Sequence, residues 1–107
     1  MTRGVALGTV RRAGRFLTRL KGLLGETPEK AEGGLWLVPC HAVHTLGMKW
    51  ALDIIFLNRE REVLKIELNV RPLAWGRFCR GAHSVLEFFH GRWDASLVAV
   101  GDQLEFR

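Results

Sequence analysis

Short apolar runs separated by turn-forming residues dominate the pattern of this chain. Such runs occupy Val5–Val10, Leu35–Val38, Ile54–Leu57 and Val63–Leu68, and the last two are separated by the charged segment Asn58–Glu62. Buried strands have this length, and glycine, proline or charged residues mark their ends. The pattern predicts four short strands, the last two joined by a hairpin turn.

The C-terminal part continues this pattern. Ser84–Phe88 reads as another strand, Gly91–Ser96 as a helical turn, and Val100–Asp102 as a turn before a terminal strand at Gln103–Phe106. In the run that follows the charged hairpin, Lys65 and Glu67 alternate with apolar residues. Alternation with a period of two indicates a strand with one buried face.

One segment near the N-terminus has a helical period instead. Apolar residues recur at helical spacing at Ala13, Phe16, Leu17, Leu20, Leu23 and Leu24, and the opposite face carries Arg11, Arg12, Arg15 and Arg19. We predict an amphipathic helix from about Arg11 to Leu24, with Gly25 as its C-cap. The arginine face is either the solvated side of a core helix or an anion-binding surface for phosphates or anionic membranes.

These elements predict a mainly β fold, α+β by content. We expect a single small domain over residues 1–107, barrel-like or sandwich-like, with six or more short strands and one N-terminal amphipathic helix. Strands and helices do not alternate regularly, which disfavours a doubly wound parallel sheet. A chain of 107 residues buries enough surface to fold without staples, so the sequence requires no cofactor or structural metal.

Charge is concentrated at one end of the chain. The net charge is +5, and the first 22 residues carry six basic side chains and no acidic one. Two cysteines are too few for a disulfide framework, and the N-terminus has no apolar run of signal-peptide length, so we expect a cytoplasmic protein. No apolar stretch is long enough for a transmembrane helix.

The densest candidate chemistry lies between Pro39 and Leu57. The candidate ligand-binding residues there are Cys40, His44, Thr45, Met48 and Asp53. A thiol, an imidazole and a carboxylate are the components of a cysteine nucleophile, its base and the group that orients the base. Cys40, His44 and Asp53 are therefore catalytic candidates. The spacing shows neither that these side chains are in contact nor that the thiol is ionised. Asp53 lies among apolar residues, so we expect it to be partly buried and bound to a backbone N–H or to the His44–Thr45 loop.

A second pattern supports a metal hypothesis. Cys40 and His44 are separated by three residues, and so are Cys79 and His83. Two thiolates and two imidazoles suit tetrahedral zinc, but structural zinc sites usually pair cysteine with cysteine and histidine with histidine. The alternative is a pair of partly buried thiols with two hydrogen-bonded imidazoles.

The chain resembles a known family in the order of several motifs. The order comprises Arg15–Gly25, Gly34–Leu37, Val43–Met48 and Leu52–Leu57, followed by Val63, Arg71–Pro72, Arg80–Ala82 with Val85–Glu87, and Val100–Asp102. This arrangement is similar to the domain of unknown function 192 family, whose most recognisable block corresponds to His44–Met48 with Asp53. The resemblance implies a compact barrel-like or sandwich-like domain of bacterial and archaeal proteins, often behind a secretion signal, with no established activity. Trp50–Ala51 departs from the pattern, because many relatives have an aromatic or apolar residue and proline there.

Three classes of function follow from these observations. The sequence favours a binding or accessory module that uses the Cys40–Met48 loop to hold a small ligand or a protein partner. The first alternative is a metal-binding or thiol-dependent enzyme at Cys40, His44 and Asp53. The second is a nucleic-acid or anionic-membrane adaptor that uses the face formed by Arg11, Arg12, Arg15 and Arg19.

Overall fold

The computed structural model describes residues 2–13, 33–43, 49–72 and 77–107. Within these ranges the chain forms nine strands and one short 3₁₀ turn. The strands are β1 (Gly4–Gly8), β2 (Arg11–Ala13), β3 (Leu35–Leu37), β4 (Ala42–Val43), β5 (Leu52–Leu57), β6 (Val63–Val70), β7 (Arg77–Phe78), β8 (Ser84–Phe89) and β9 (Gln103–Phe106). The 3₁₀ turn, Ala95–Leu97, lies between β8 and β9.

The largest sheet has five strands in the order β2-β3-β8-β5-β6. β2 and β3 run parallel, and the other neighbours are antiparallel. β1 pairs with β9 in parallel, and β4 pairs with β7 in antiparallel orientation. The two central strands, β5 and β8, are buried at every position because both faces of the sheet are covered.

The two faces of this sheet build two hydrophobic clusters, since successive side chains of a strand point to opposite sides. The first cluster comprises Leu35, Leu37, Cys40, Leu52, Ile54, Phe56, Val70, Val85 and Phe89. The second comprises Val10, Ile55, Leu57, Val63, Leu86, Phe88, Val98, Leu104 and Phe106. Val43 of β4 packs on the first cluster and Val5 of β1 on the second, so each two-stranded pair covers one face.

The mainly β prediction is confirmed, and the six predicted strands correspond to β1, β3, β5, β6, β8 and β9. The predicted hairpin is present between β5 and β6, where Asn58 N donates to Glu62 O at 3.1 Å. The side chain of Asn58 also accepts from the backbone N–H groups of Glu60 and Glu62, which is typical turn chemistry for asparagine.

The predicted N-terminal helix is wrong at its start. Arg11–Ala13 form β2 instead, and Arg11 N donates to Gly34 O at 3.0 Å beside the Arg11–Leu35 pair. Pairing with β3 therefore overrides the helical period at these positions. The remainder of the predicted helix, residues 14–24, lies outside the described residues.

The barrel-like alternative is not supported. Among the described strands, the five-stranded sheet ends at β2 and β6 and does not close. β1 and β9 pair with each other, and a single bridge between Glu62 and Gln103 links the start of β6 to β9. Over the same ranges, no helix is both long and apolar enough to cross a membrane.

Candidate functional site

A buried carboxylate lies near the start of β5. The side chain of Asp53 is only 1% exposed and accepts three hydrogen bonds. Its donors are Asn69 N at 2.8 Å, His90 Nδ1 at 2.8 Å and Trp93 Nε1 at 2.6 Å. A buried carboxylate is costly unless such donors satisfy it. Asp53 therefore ties together β5, the end of β6 and the segment after β8.

His90 is a partner of Asp53 whose imidazole ring reaches solvent. Its backbone N–H donates to Ala51 O at 3.0 Å, which places it immediately after β8 and beside the start of β5. The imidazole bonds Asp53 through Nδ1, and its side chain is 45% exposed. A carboxylate that accepts from Nδ1 fixes the ring orientation and leaves Nε2 for an outside partner.

Trp93 holds the other carboxylate oxygen. Its indole stacks on Phe88 with a centroid distance of 4.1 Å and an interplanar angle of 12°. Phe88 lies opposite Asp53 in the β5–β8 ladder, so the stack and the hydrogen bond hold Trp93 over the same part of the second cluster. Trp93 therefore combines packing on Phe88 with a hydrogen bond to Asp53.

The surface around His90 is basic and partly aromatic. Lys49 and Arg92 are exposed, and Trp50 is 42% exposed. The pairing of Leu52 with Val70 and with Phe89 places Ala51 between Arg71 and His90 at the end of the sheet. Asp94, four residues after His90, caps the 3₁₀ turn, and its side chain accepts a hydrogen bond from Ser96 N. Exposed basic residues therefore lie close to His90 in the chain and in the strand register at this end of the sheet.

The Asp53–His90 pair has two chemical states of interest. In the neutral state, Nε2 is a hydrogen-bond acceptor, a base or a metal ligand. In the protonated state, Asp53 balances the positive charge and Nε2–H becomes a donor to an anion. Either state uses one exposed nitrogen whose direction is set by the buried carboxylate.

The structure does not bring Cys40 to this pair. Cys40 is buried in the first cluster, and its Sγ donates to Ala42 O at 3.2 Å. Asp53 alternates with Leu52 and Ile54 of that cluster, so its side chain projects from the opposite face of the sheet. The other three candidate ligand-binding residues, His44, Thr45 and Met48, lie outside the described residues.

The two Cys-x-x-x-His segments do meet through their backbones. Cys40 N donates to His83 O at 2.8 Å, and Cys79 N donates to His41 O at 3.2 Å. Nevertheless, within the ranges the structure describes, no three histidine, cysteine or acidic side chains are placed to hold a metal together. The contact between the segments is thus one of chain pairing, with β4 beside β7.

Two of the four candidate anion-binding arginines lie within the described residues. Arg11 and Arg12 are exposed on β2, and the Arg12 guanidinium lies 5.3 Å from the centroid of the Trp36 ring. The Arg61 guanidinium also lies over this ring, 4.6 Å from its centroid. Arg15 and Arg19 lie outside the described residues, so the structure shows two of the four arginines.

Sequence reasoning missed His90 as a site residue. It lies immediately beyond the strand read from Ser84–Phe88 and next to Gly91, in a position typical of a turn. A buried Asp53 needs donors, and the four histidines of the chain are natural candidates. The pairing of β5 with β8 was the missing information.

Fold and site together define a small mainly β protein with one five-stranded sheet and a carboxylate-oriented histidine at its end. The chain belongs to the DUF192 family, described as "Uncharacterized ACR", whose family model matches residues 2–106. This agrees with the resemblance found in the sequence, and the family has no characterised function.

Relatives support the same assignment. A UPF0127 protein of Pyrococcus furiosus is 32% identical over 102 residues, which cover 91% of this chain and 85% of the relative. A protein of unknown function from Novosphingobium aromaticivorans has a crystal structure with a TM-score of 0.72 and 26% identity, covering 90% of this chain and 71% of the other. A putative transcription regulator from Sinorhizobium meliloti is similar in fold, with a TM-score of 0.75 at 20% identity over 88% and 78% of the two chains.

Proposed function

We propose that this protein is a binding module for a small anionic ligand and that its recognition surface is the end of the sheet around His90. The observation that carries the proposal is the 2.8 Å hydrogen bond from His90 Nδ1 to buried Asp53, with the imidazole half exposed. A surface histidine without a function would not need its ring orientation fixed by a fully buried carboxylate. The bound group is a phosphate or a carboxylate.

The charges around His90 support an anion. Arg92 is two residues from His90, and Lys49 is two residues from Ala51, whose carbonyl accepts the His90 N–H; both are exposed. The negative charge of Asp53 is enclosed by three donors. Cationic side chains around a partly enclosed donor raise the local concentration of anions. Trp50 adds an exposed indole that can cover an apolar or aromatic part of the ligand.

The proposed class, a binding module, is the one that the sequence favours. The proposed binding surface is different. The sequence placed the binding surface on the Cys40–Met48 loop, but the Cys40 thiol is buried and bonded within its own segment. The nucleic-acid alternative has less support, because Arg12 stacks on Trp36 and the similarity to a putative transcription regulator is one of fold.

Titration with inorganic phosphate, followed by NMR and calorimetry, tests the proposal. We expect binding to shift the resonances of His90, Arg92 and Trp50. His90→Asn should weaken binding roughly tenfold or more, the equivalent of one charge-assisted hydrogen bond.

His41→Asn is the matched control, since His41 is also exposed but lies in the segment before β4. It should bind phosphate as the wild type does. Equal losses in the two variants, or shifts scattered over all basic residues, would show general electrostatic adsorption and contradict a site at His90.

A further inference from the structure

The outer edge of β6 is open over most of its length. Among the described strands, β6 ends the five-stranded sheet. At its start, Val63 N donates to Asp102 O and Val63 O accepts from Gly101 N, so the edge is occupied there. Beyond Val63, no backbone group of another described residue bonds this edge. Such an edge is a template for pairing with a further strand.

The backbone of Ile66 faces this open edge. Leu57 O accepts from His83 N at 2.7 Å, so the backbone groups of Leu57 point toward β8 and away from β6. Ile55, two residues earlier in β5, points the same way. In the Ile55–Ile66 pair, the N–H and C=O of Ile66 therefore point away from β5 and outward. These groups require hydrogen-bond partners.

Exposed apolar side chains border the same edge. Leu68, Phe78 and Val100 are each more than half exposed. Leu68 belongs to β6, and Phe78 O accepts from Lys65 Nζ at 3.3 Å. Val100 precedes Gly101, whose N–H bonds the start of β6. Apolar side chains that gather on a surface in this way indicate an interaction site.

The charges of β6 indicate which strand fits. Lys65 and Glu67 pair with Phe56 and Ile54 of the first cluster, so both project from the first face of the sheet. A lysine on an edge strand normally opposes pairing. Here Glu67 lies as far after Ile66 as Lys65 lies before it. A two-fold axis at Ile66 therefore places each lysine opposite a glutamate, and β6 is complementary to itself.

We propose that β6 pairs in antiparallel orientation with β6 of a second copy of this chain, about a two-fold axis at Ile66. Each Ile66 N–H donates to the partner's Ile66 C=O, and each Lys65 lies opposite the partner's Glu67. Leu68, on the same face as Ile66, lies diagonal to the partner's Ile66, within reach of a leucine side chain. The two sheets become one continuous sheet. This interface does not involve His90 or the proposed anion site.

Sedimentation velocity of the full chain at micromolar to millimolar concentration tests the proposal. We expect a reversible dimer with a dissociation constant of about 10–100 µM, because one strand pair buries less area than a standard interface. In hydrogen exchange followed by NMR, the Ile66 amide should exchange more slowly as the concentration increases. The Ile55 amide, which points toward β8 within one chain, should change less.

A charge exchange tests the two-fold register. Lys65→Glu and Glu67→Lys each place like charges opposite each other, so each should raise the dissociation constant roughly tenfold or more. In an equimolar mixture of the two variants, opposite charges face each other again. The mixture should therefore associate more tightly than either variant alone. Circular dichroism verifies the folding of each variant before sedimentation.

Leu68→Lys tests the apolar part of the interface without changing a charged residue. It should also weaken the dimer roughly tenfold or more, because a lysine then lies beside the partner's Ile66. Leu97→Lys is the matched control. Leu97 is exposed to a similar degree in the 3₁₀ turn, outside the proposed pairing segment. This variant should dimerise like the wild type.

Four results would overturn the proposal. The first is a protein that stays monomeric at millimolar concentration, and the second is a dimer that Lys65→Glu and Leu68→Lys leave unchanged. The third is a mixture of the two charge variants that associates no better than each variant alone. The fourth is an Ile66 amide that exchanges at the same rate at every concentration, which would mean that the edge is covered within a single chain or open in the dimer.

Discussion

At the residue scale, the hydrogen bonds of Asp53 combine a structural role with the proposed function. Its carboxylate is enclosed by the donors Asn69 N, His90 Nδ1 and Trp93 Nε1, which come from different parts of the chain. Asn69 reaches it with a φ of 55°, a left-handed conformation that asparagine tolerates better than most residues. The same carboxylate thus stabilises the fold and directs the exposed imidazole.

Asp53→Asn should destabilise the protein strongly. The amide keeps one acceptor oxygen, but its NH₂ group would face an N–H group that donates to the carboxylate in the wild type. We expect the free energy of unfolding in urea to fall by about 2–4 kcal/mol, because a buried donor loses its partner. The His90 Nδ1 resonance should also lose its hydrogen-bonded shift in NMR spectra.

The control is Asp94→Asn, because Asp94 is exposed and accepts from Ser96 at the 3₁₀ turn. Asparagine keeps an accepting oxygen at this cap, so the free energy of unfolding should fall by no more than roughly 0.5 kcal/mol. A similar small loss in both variants would mean that the three bonds of Asp53 contribute little to stability.

The sequence predicted part of this arrangement. An aspartate in an apolar run implied burial and a partner, and a backbone N–H was one of the partners expected. The donors are 16, 37 and 40 positions away along the chain. Their identity depends on which strands flank β5, and local patterns contain no information on strand order.

At the element scale, a close approach joins β3 to β8. A Cβ atom built on Gly34 would lie 2.6 Å from Cε1 of Phe88, and Gly34 O accepts the N–H of Arg11 in β2. The absence of a side chain therefore lets the Phe88–Trp93 stack lie against the start of β3. This contact links the short edge strand to the aromatic residues that support Asp53.

Gly34→Ala should disturb this contact. The added methyl group overlaps the Phe88 ring, and overpacking of a buried site typically costs about 1–3 kcal/mol. We expect a lower melting temperature and a change in the near-UV circular dichroism of Trp93. Gly4→Ala is the matched control, because its Cβ would meet nothing within 4 Å. Equal effects of the two changes would contradict the close approach.

Element length explains which strands the sequence predicted. β5, β6 and β8 have six or more residues, and their apolar or alternating pattern is unmistakable. β2, β4 and β7 have three residues or two, and none is an apolar run of three like Leu35–Leu37 in β3. Each of these short strands depends on its partner, so pairing rather than local propensity defines it.

At the scale of the whole molecule, two carboxyl groups give stability opposite dependences on pH. Arg3 joins the start of β1 to buried Asp102, with Nη2 2.6 Å from Oδ2, and this bond holds the pKa of Asp102 below its usual range. Its contribution is complete above the unfolded-state pKa, about 4, and is lost as the pH falls through the lower folded-state pKa. In Asp102→Asn, the free energy of unfolding should therefore fall less than in the wild type as the pH is lowered.

The Glu87 carboxyl gives the free energy of unfolding the opposite dependence on pH. Its pKa rises from 4.5 in the unfolded chain to about 7 in the folded protein because burial disfavours the charge. Between these values the folded state holds a proton that the unfolded state has released, so the free energy of unfolding falls as the pH rises. The accumulated loss is about 3 kcal/mol and is complete above the folded-state pKa.

Glu87→Gln should remove this loss. We expect urea unfolding to give nearly equal stability for wild type and variant at about pH 4, and a variant more stable by about 3 kcal/mol at about pH 8. Glu105→Gln, with an exposed carboxyl, should follow the wild-type profile throughout. Parallel profiles for wild type and Glu87→Gln would mean that Glu87 is ionised at little cost, with a charged partner in the folded protein.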